Sequence, residues 1–131
     1  MVAAAGAVDA DKTGSSKLIW FYRHGQSRAN VVSKAAREAD GLDMSSADYP
    51  GPAVREYIVN TSLEDAALTE EGIRQAIATA TDNRELSAQF PSAFGVEVIV
   101  CSPMTRAIQT AATIFEEQLL SGQCTLVSPD G

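Results

Sequence analysis

Apolar positions along the chain fall into short continuous runs that alternate with longer periodic stretches. Lys17 to Tyr22 (KLIWFY) is almost continuously apolar, which predicts a central strand buried on both faces. It ends at Arg23-His24-Gly25. From Ser27 the pattern turns helical, with Ala29, Val32, Ala36 and Ala39 on one stripe and Gly41 as the stop signal. Residues 40–65 carry Gly41, Pro50-Gly51-Pro52 and four Asp without a sustained period. They predict a long surface excursion with at most a helical turn around Val54 to Val59. Thr69 suits the N-cap of a second helix, with Glu70 and Glu71 in its positive first turn and Ile73, Ala76, Ile77 and Ala80 as its buried stripe. Val96 to Cys101 (VEVIVC) predicts the second strand. Ser102-Pro103 then reads as N-cap and first residue of a third helix, facing inward with Ile108, Ala111, Ala112, Phe115 and Leu119. Gly122 ends that helix, and Cys124 to Val127 begins a third strand.

Strands alternating with helices predict an α/β fold, in which ligands gather at the carboxyl ends of the strands. Two such ends carry polar chemistry: Arg23-His24-Gly25 after the first strand, and Ser102-Pro103-Met104-Thr105-Arg106 after the second. Met1 to Ser16 is rich in small residues and has no period, so it is expected to be a flexible leader, with the folded part spanning 17–131.

Composition narrows the function classes. A chain of 131 residues with 45% hydrophobic and 21% charged residues can fill one core, which excludes general disorder and a multidomain enzyme. Its net charge of −7 argues against nucleic acid and anionic membrane as partners, because the field repels polyanions. A phosphorylated ligand would need a few local arginines to overcome that field. No apolar run is long enough to span a bilayer, and the N-terminus lacks the basic start and long apolar core of a secretory signal. Cys101 and Cys124 sit in apolar, strand-like surroundings without paired or metal-knuckle spacing. They are read as buried thiols in a reducing, cytoplasmic compartment.

Taken alone, His24 reads as a hydrogen-bonded structural residue at a strand end. Its setting adds a guanidinium, a glycine that permits close backbone approach, a helix N-terminus and Asn30 within one segment, which are the parts of a phosphate site. An imidazole attacks phosphorus when one ring nitrogen is held as a donor and the other keeps its lone pair, while arginines neutralise the equatorial oxygens. Arg106 gains interest from its place in the first turn of the helix after the second strand, at the same sheet edge as His24. Thr69 and Gly72 read most simply as a cap and a close-packing residue, Asp65 as a turn or cap carboxylate, and Arg55 and Tyr57 as residues of a solvated loop. Cys101 and Arg106 form C-x4-R rather than the C-x5-R of a cysteine phosphatase, and Cys101 has no basic neighbour. Neither GxxxxGK[ST] nor GxGxxG is present.

Three ordered motifs then stand out. They are Arg23-His24-Gly25-Gln26-Ser27-x-x-Asn30, Asp65-x-x-Leu68-Thr69-x-x-Gly72-x-x-Gln75-Ala76, and Ser102-Pro103-Met104-Thr105-Arg106-Ala107-x-Gln109-Thr110-Ala111. In that order and spacing the chain resembles the histidine phosphatase superfamily, the phosphoglycerate mutase-like group, from Lys17 to about Val127. The resemblance implies a three-layer α/β fold with a mostly parallel sheet and flanking helices. It also implies a phosphomonoester phosphatase or phosphomutase acting through a phosphohistidine, on a phosphorylated small molecule or phosphoprotein, without metal or cofactor. Carried over residue by residue, His24 is the nucleophile, Arg23 and Arg106 clamp the phosphoryl group, and Asn30 is a further phosphate contact. The family pattern also includes a second histidine and an acidic proton donor late in the domain, whereas this chain has one His. The chain is therefore expected to be the N-terminal part of such a domain, C-terminally truncated. A non-catalytic pseudo-phosphatase that captures phosphate or a phosphoprotein is the alternative, and oligomeric state is left open.

Overall fold

The computed structural model describes residues 3–8, 17–89 and 95–129. Strand β1 (Ala3–Val8) is followed by β2 (Lys17–Tyr22), helix α1 (Arg28–Asp40), helix α2 (Pro52–Ile58), a 3-10 turn (Thr61–Leu63) and helix α3 (Glu70–Gln89). Strand β3 (Val98–Val100), helices α4 (Thr105–Ile114) and α5 (Glu116–Leu120) and strand β4 (Thr125–Val127) complete the order. The mixed helix and strand order expected of an α/β chain is present. Among the described residues the strands form two separate two-stranded sheets, an antiparallel β1–β2 pair and a parallel β3–β4 ladder running from Val98 opposite Thr125 to Val100 opposite Val127. Strands β2 and β3 therefore do not share the single sheet edge expected for His24 and Arg106.

Helix α1 has the limits that its sequence predicts. Ser27 Oγ accepts from the Asn30 amide, and Asn30 Oδ1 accepts from the Ser27 amide at 3.0 Å, so two otherwise unpaired donors are satisfied reciprocally. At the other end Gly41 adopts φ 61°, which a glycine takes without steric cost, and its amide closes on the Arg37 carbonyl. Ala29 and Ala36 are buried as expected, while Val32 is exposed.

Residues 40–65 are more ordered than a surface excursion. Asp40 receives the amides of Ala53 and Val54, each at 2.9 Å, and so caps α2 from thirteen and fourteen residues away. Leu63 and Ala66 then bury against Ala29, with Tyr57 packed on them. Tyr57 is therefore a packing residue, and Arg55 Nε donates to the Pro50 carbonyl at 2.7 Å.

A larger core joins Ala76, Ile99, Ala111, Ile114, Phe115 and Cys124. The half-buried Tyr22 reaches it from β2, meeting Phe115 edge to face at 5.5 Å, and its hydroxyl donates to Asn83 Oδ1. That geometry lets the positive ring edge face the negative ring centre.

Several expectations are corrected. Within the leader, Ala3–Val8 is a strand paired antiparallel with β2, Ala3 opposite Tyr22 and Val8 opposite Lys17; the rest of 1–16 lies outside the described residues. Strand β2 is not buried on both faces, since Phe21 is 61% exposed while the alternating Tyr22 turns to the core. On α3, Ala76 is buried but Ile73 and Ile77 are exposed. The third helix starts at Thr105 rather than Pro103 and breaks at Phe115, whose φ of −112° and ψ of 23° lie outside the helical region. Ser102 instead accepts the Met104 amide in a turn.

Candidate active site

The carboxyl end of β2 feeds a tight turn, 23–26, before α1. His24 is half-buried there, and its Nδ1 lies 2.7 Å from the Gly25 carbonyl oxygen. A carbonyl only accepts, so Nδ1 carries a proton, and in the neutral imidazole this leaves the lone pair on Nε2. Arg23 is exposed beside it.

Close backbone contact fixes the turn. A Cβ on Gly25 would stand 2.5 Å from the Gly72 carbonyl oxygen, and a Cβ on Gly72 would overlap the carbonyl of Gln26. The turn therefore lies directly on the first turn of α3, at a distance that only two hydrogens allow. Hydrogen bonds complete the seam: the Thr69 amide donates to the Gln26 carbonyl at 2.9 Å, and the Gln26 amide to Gln75 Oε1 at 2.9 Å. Thr69 Oγ1 donates to Gln26 Oε1 at 2.8 Å while accepting the Gly72 amide, so the expected cap also grips the turn. Ser27 and Leu68 form an isolated antiparallel bridge, and the Leu68 amide donates to Gln109 Oε1 on α4 at 2.9 Å.

Helix α4 is joined to the same turn through one hydroxyl. The Gly25 amide donates to Thr110 Oγ1 at 3.1 Å, and Thr110 in turn donates to the Arg106 carbonyl at 2.7 Å. Arg106 and Thr110 are four residues apart, hence on one helix face. The Arg106 guanidinium is further placed by a 3.3 Å bond from Nη1 to the Glu64 carbonyl. His24 and Arg106 are thus tied to a shared framework through Gly25 and Thr110. Thr110, Gln75 and Gln109 are the residues whose part sequence reasoning missed, although the spacing of Thr110 from Arg106 was a usable signal.

Asp65 serves as a cap, not as a free acid. It accepts the Thr105 amide and the Thr105 hydroxyl, both at 2.6 Å, supplying the N-terminal cap that Met104 lacks. These bonds, with a smaller contribution from the charge of Arg106, hold its carboxyl below the usual carboxylate range. It is ionised at neutral pH. Asn30 uses its carboxamide oxygen in the α1 cap, which leaves the amide nitrogen outside the cap. Asn30 and Arg23 both line a cavity of about 490 Å³ along α1. Cys124 is buried as expected, whereas Cys101 is only half-buried, packed against the main core. Among the described residues no group of three or more His, Cys, Asp or Glu is placed to hold a metal ion, and no helix is long and apolar enough to cross a membrane.

A sequence model of the histidine phosphatase superfamily (branch 1) matches residues 56–124, just over half of the chain. The matched span holds the second and third motifs, whereas Arg23-His24-Gly25 lies upstream of it. Searches of curated proteins and of solved structures return no match.

Proposed function

Because the chain belongs to the histidine phosphatase superfamily, we propose that it is a phosphomonoester phosphatase or phosphomutase whose nucleophile is His24. One observation carries this reading: the turn bearing His24, upstream of the matched span, is stitched by Gly25, Gln26 and Ser27 to residues inside that span. Its ring is also held with Nδ1 as donor.

In the proposed reaction Nε2 attacks the phosphorus of a phosphomonoester, the bond from phosphorus to the leaving oxygen breaks, and phosphohistidine forms. Arg23 and Arg106 neutralise the equatorial oxygens, and Asn30 donates to one of them from its amide nitrogen. The leaving oxygen takes a proton from a general acid, a role unsuited to Asp65 because it is already ionised and doubly hydrogen-bonded. Water, or a substrate hydroxyl in a mutase, then takes the phosphoryl group from His24. A phosphorylated small molecule or phosphoprotein is the partner in this reading. The three-layer, mostly parallel architecture goes with it, supported by the alternation of strands and helices and by the parallel β3–β4 ladder. A cytoplasmic location is supported by two free thiols.

The test is incubation of the 131-residue protein with 4-nitrophenyl phosphate, followed by assay for acid-labile phosphohistidine. Label is expected on His24 and absent from His24→Ala. Label that survives the substitution, or none in the unaltered protein, overturns the assignment.

A further inference from the structure

The cations of this acidic chain are unevenly placed. Residues 17–37 include Lys17, Arg23, Arg28, Lys34 and Arg37 and no Asp or Glu, in a chain of net charge −7. Arg23, Lys34 and Arg37 share the wall of the 490 Å³ cavity with Asn30, Val31 and Glu38. Three cations against one carboxylate give the cavity a net positive charge that the chain as a whole lacks.

Neither Lys34 nor Arg37 has a part in the chemistry at His24. Their ties are weak: Lys34 Nζ lies 3.7 Å from Glu38 Oε1, and both side chains are well exposed. A solvated pair of that kind contributes little, so an incoming anion can compete for the ammonium. Arg37 donates through Nε to the Ser33 carbonyl at 3.3 Å, and its two terminal nitrogens remain as donors toward the cavity it lines. Val31, 44% exposed, supplies apolar surface on the same wall.

Helix geometry turns this arrangement into a ruler. Lys34 lies one turn beyond Asn30 and Arg37 two, which is about 6 and 10 Å along the α1 axis. Arg23 is common to both regions, next to His24 in sequence and in the cavity wall.

We propose that this cavity is a specificity subsite for a second anionic group of the substrate. The substrate class is an extended phosphomonoester that carries a carboxylate or further phosphate about 6 to 10 Å from the transferred phosphoryl group. Lys34 and Arg37 hold that second anion, and Val31 packs on the spacer; the inference rests on the assignment of Arg23 as a phosphoryl ligand.

The experiment compares hexane-1,6-diyl bisphosphate with hexyl phosphate by isothermal titration into the 131-residue protein and its Lys34→Gln/Arg37→Gln variant. The bisphosphate is expected to bind about tenfold tighter or better, as charge-assisted contacts at a second site require. In the double variant the ratio of the two affinities is expected to fall to about one. Both substitutions are on exposed positions of α1, and circular dichroism checks that the helix persists. Equal affinities in the unaltered protein, a preference that survives the double substitution, or binding of neither compound overturns the subsite. Binding is read without turnover, so the two proposals fail separately. Selective binding with no label on His24 sinks the phosphohistidine reading alone, and label on His24 with no selectivity sinks the subsite alone.

Discussion

The amide of Gly25 donates to the hydroxyl of Thr110 across 3.1 Å and 85 residues of sequence, linking the turn beside His24 to the helix that carries Arg106. Thr110 is 4% exposed, so the bond is closed to water. Removing the hydroxyl while keeping the shape leaves a buried amide unpaired. Thr110→Val is expected to lower stability by about 1–3 kcal/mol in urea denaturation. It is also expected to slow phosphohistidine formation, with Thr110→Ser restoring both. Equal midpoints for the valine and threonine proteins would show that the amide finds another partner.

The facing glycines allow a steric test. Gly72→Ala places a methyl group against the Gln26 carbonyl, which is backbone and has no rotamer to retreat into. A loss of at least about 2 kcal/mol is expected. Gly95→Ala, where nothing lies within 4 Å of the added carbon, should stay within about 0.5 kcal/mol of the parent. Thermal melts of the two variants side by side decide whether close approach, and not glycine content, is the constraint.

Asp65 separates a capping role from an acid role. Its folded pKa is depressed, so its contribution to stability is present above the unfolded carboxylate value of about 3.9 and is lost as pH falls through the lower folded value. Asp65→Asn is therefore expected to melt at lower temperature than the parent at pH 7, with the gap closing below about pH 4. Phosphohistidine labelling is expected to persist in this variant. A gap that holds at low pH would contradict the capping account, and loss of labelling without loss of fold would return Asp65 to the chemistry.

Arg106 is expected to act through the planar fork of its guanidinium, which holds two phosphoryl oxygens where lysine offers a point charge. Arg106→Lys should slow phosphorylation of His24 by about tenfold to a thousandfold, equivalent to roughly 1.4 to 4 kcal/mol of transition-state stabilisation. Single-turnover labelling measures it. An unchanged rate would make Arg106 a solvated helix residue.

What the sequence by itself determined is local or encoded by residue type. Ser27 and Gly41 bound α1 because a hydroxyl and a missing Cβ act within one turn of the chain. Thr69 and Gly72 read correctly as cap and contact residue, and the order of motifs placed Arg23, His24 and Arg106 at strand and helix ends. Tertiary structure alone decided what depends on partners distant in sequence. An apolar run such as Lys17 to Tyr22 states a preference for burial, but the neighbouring elements determine which face obtains it; Tyr22 found Phe115, and Phe21 remained exposed. The start of α4 was set by a carboxylate 40 residues earlier, because a helix N-terminus accepts any oxygen that reaches its free amides, and Asp65 reaches them where Ser102 does not. The seam of Gln26, Gln75, Gln109 and Thr110 belongs to the same class. Side-chain amides and hydroxyls carry no periodic signature, and their worth appears only once folding has brought a buried backbone group within 3 Å or so of them.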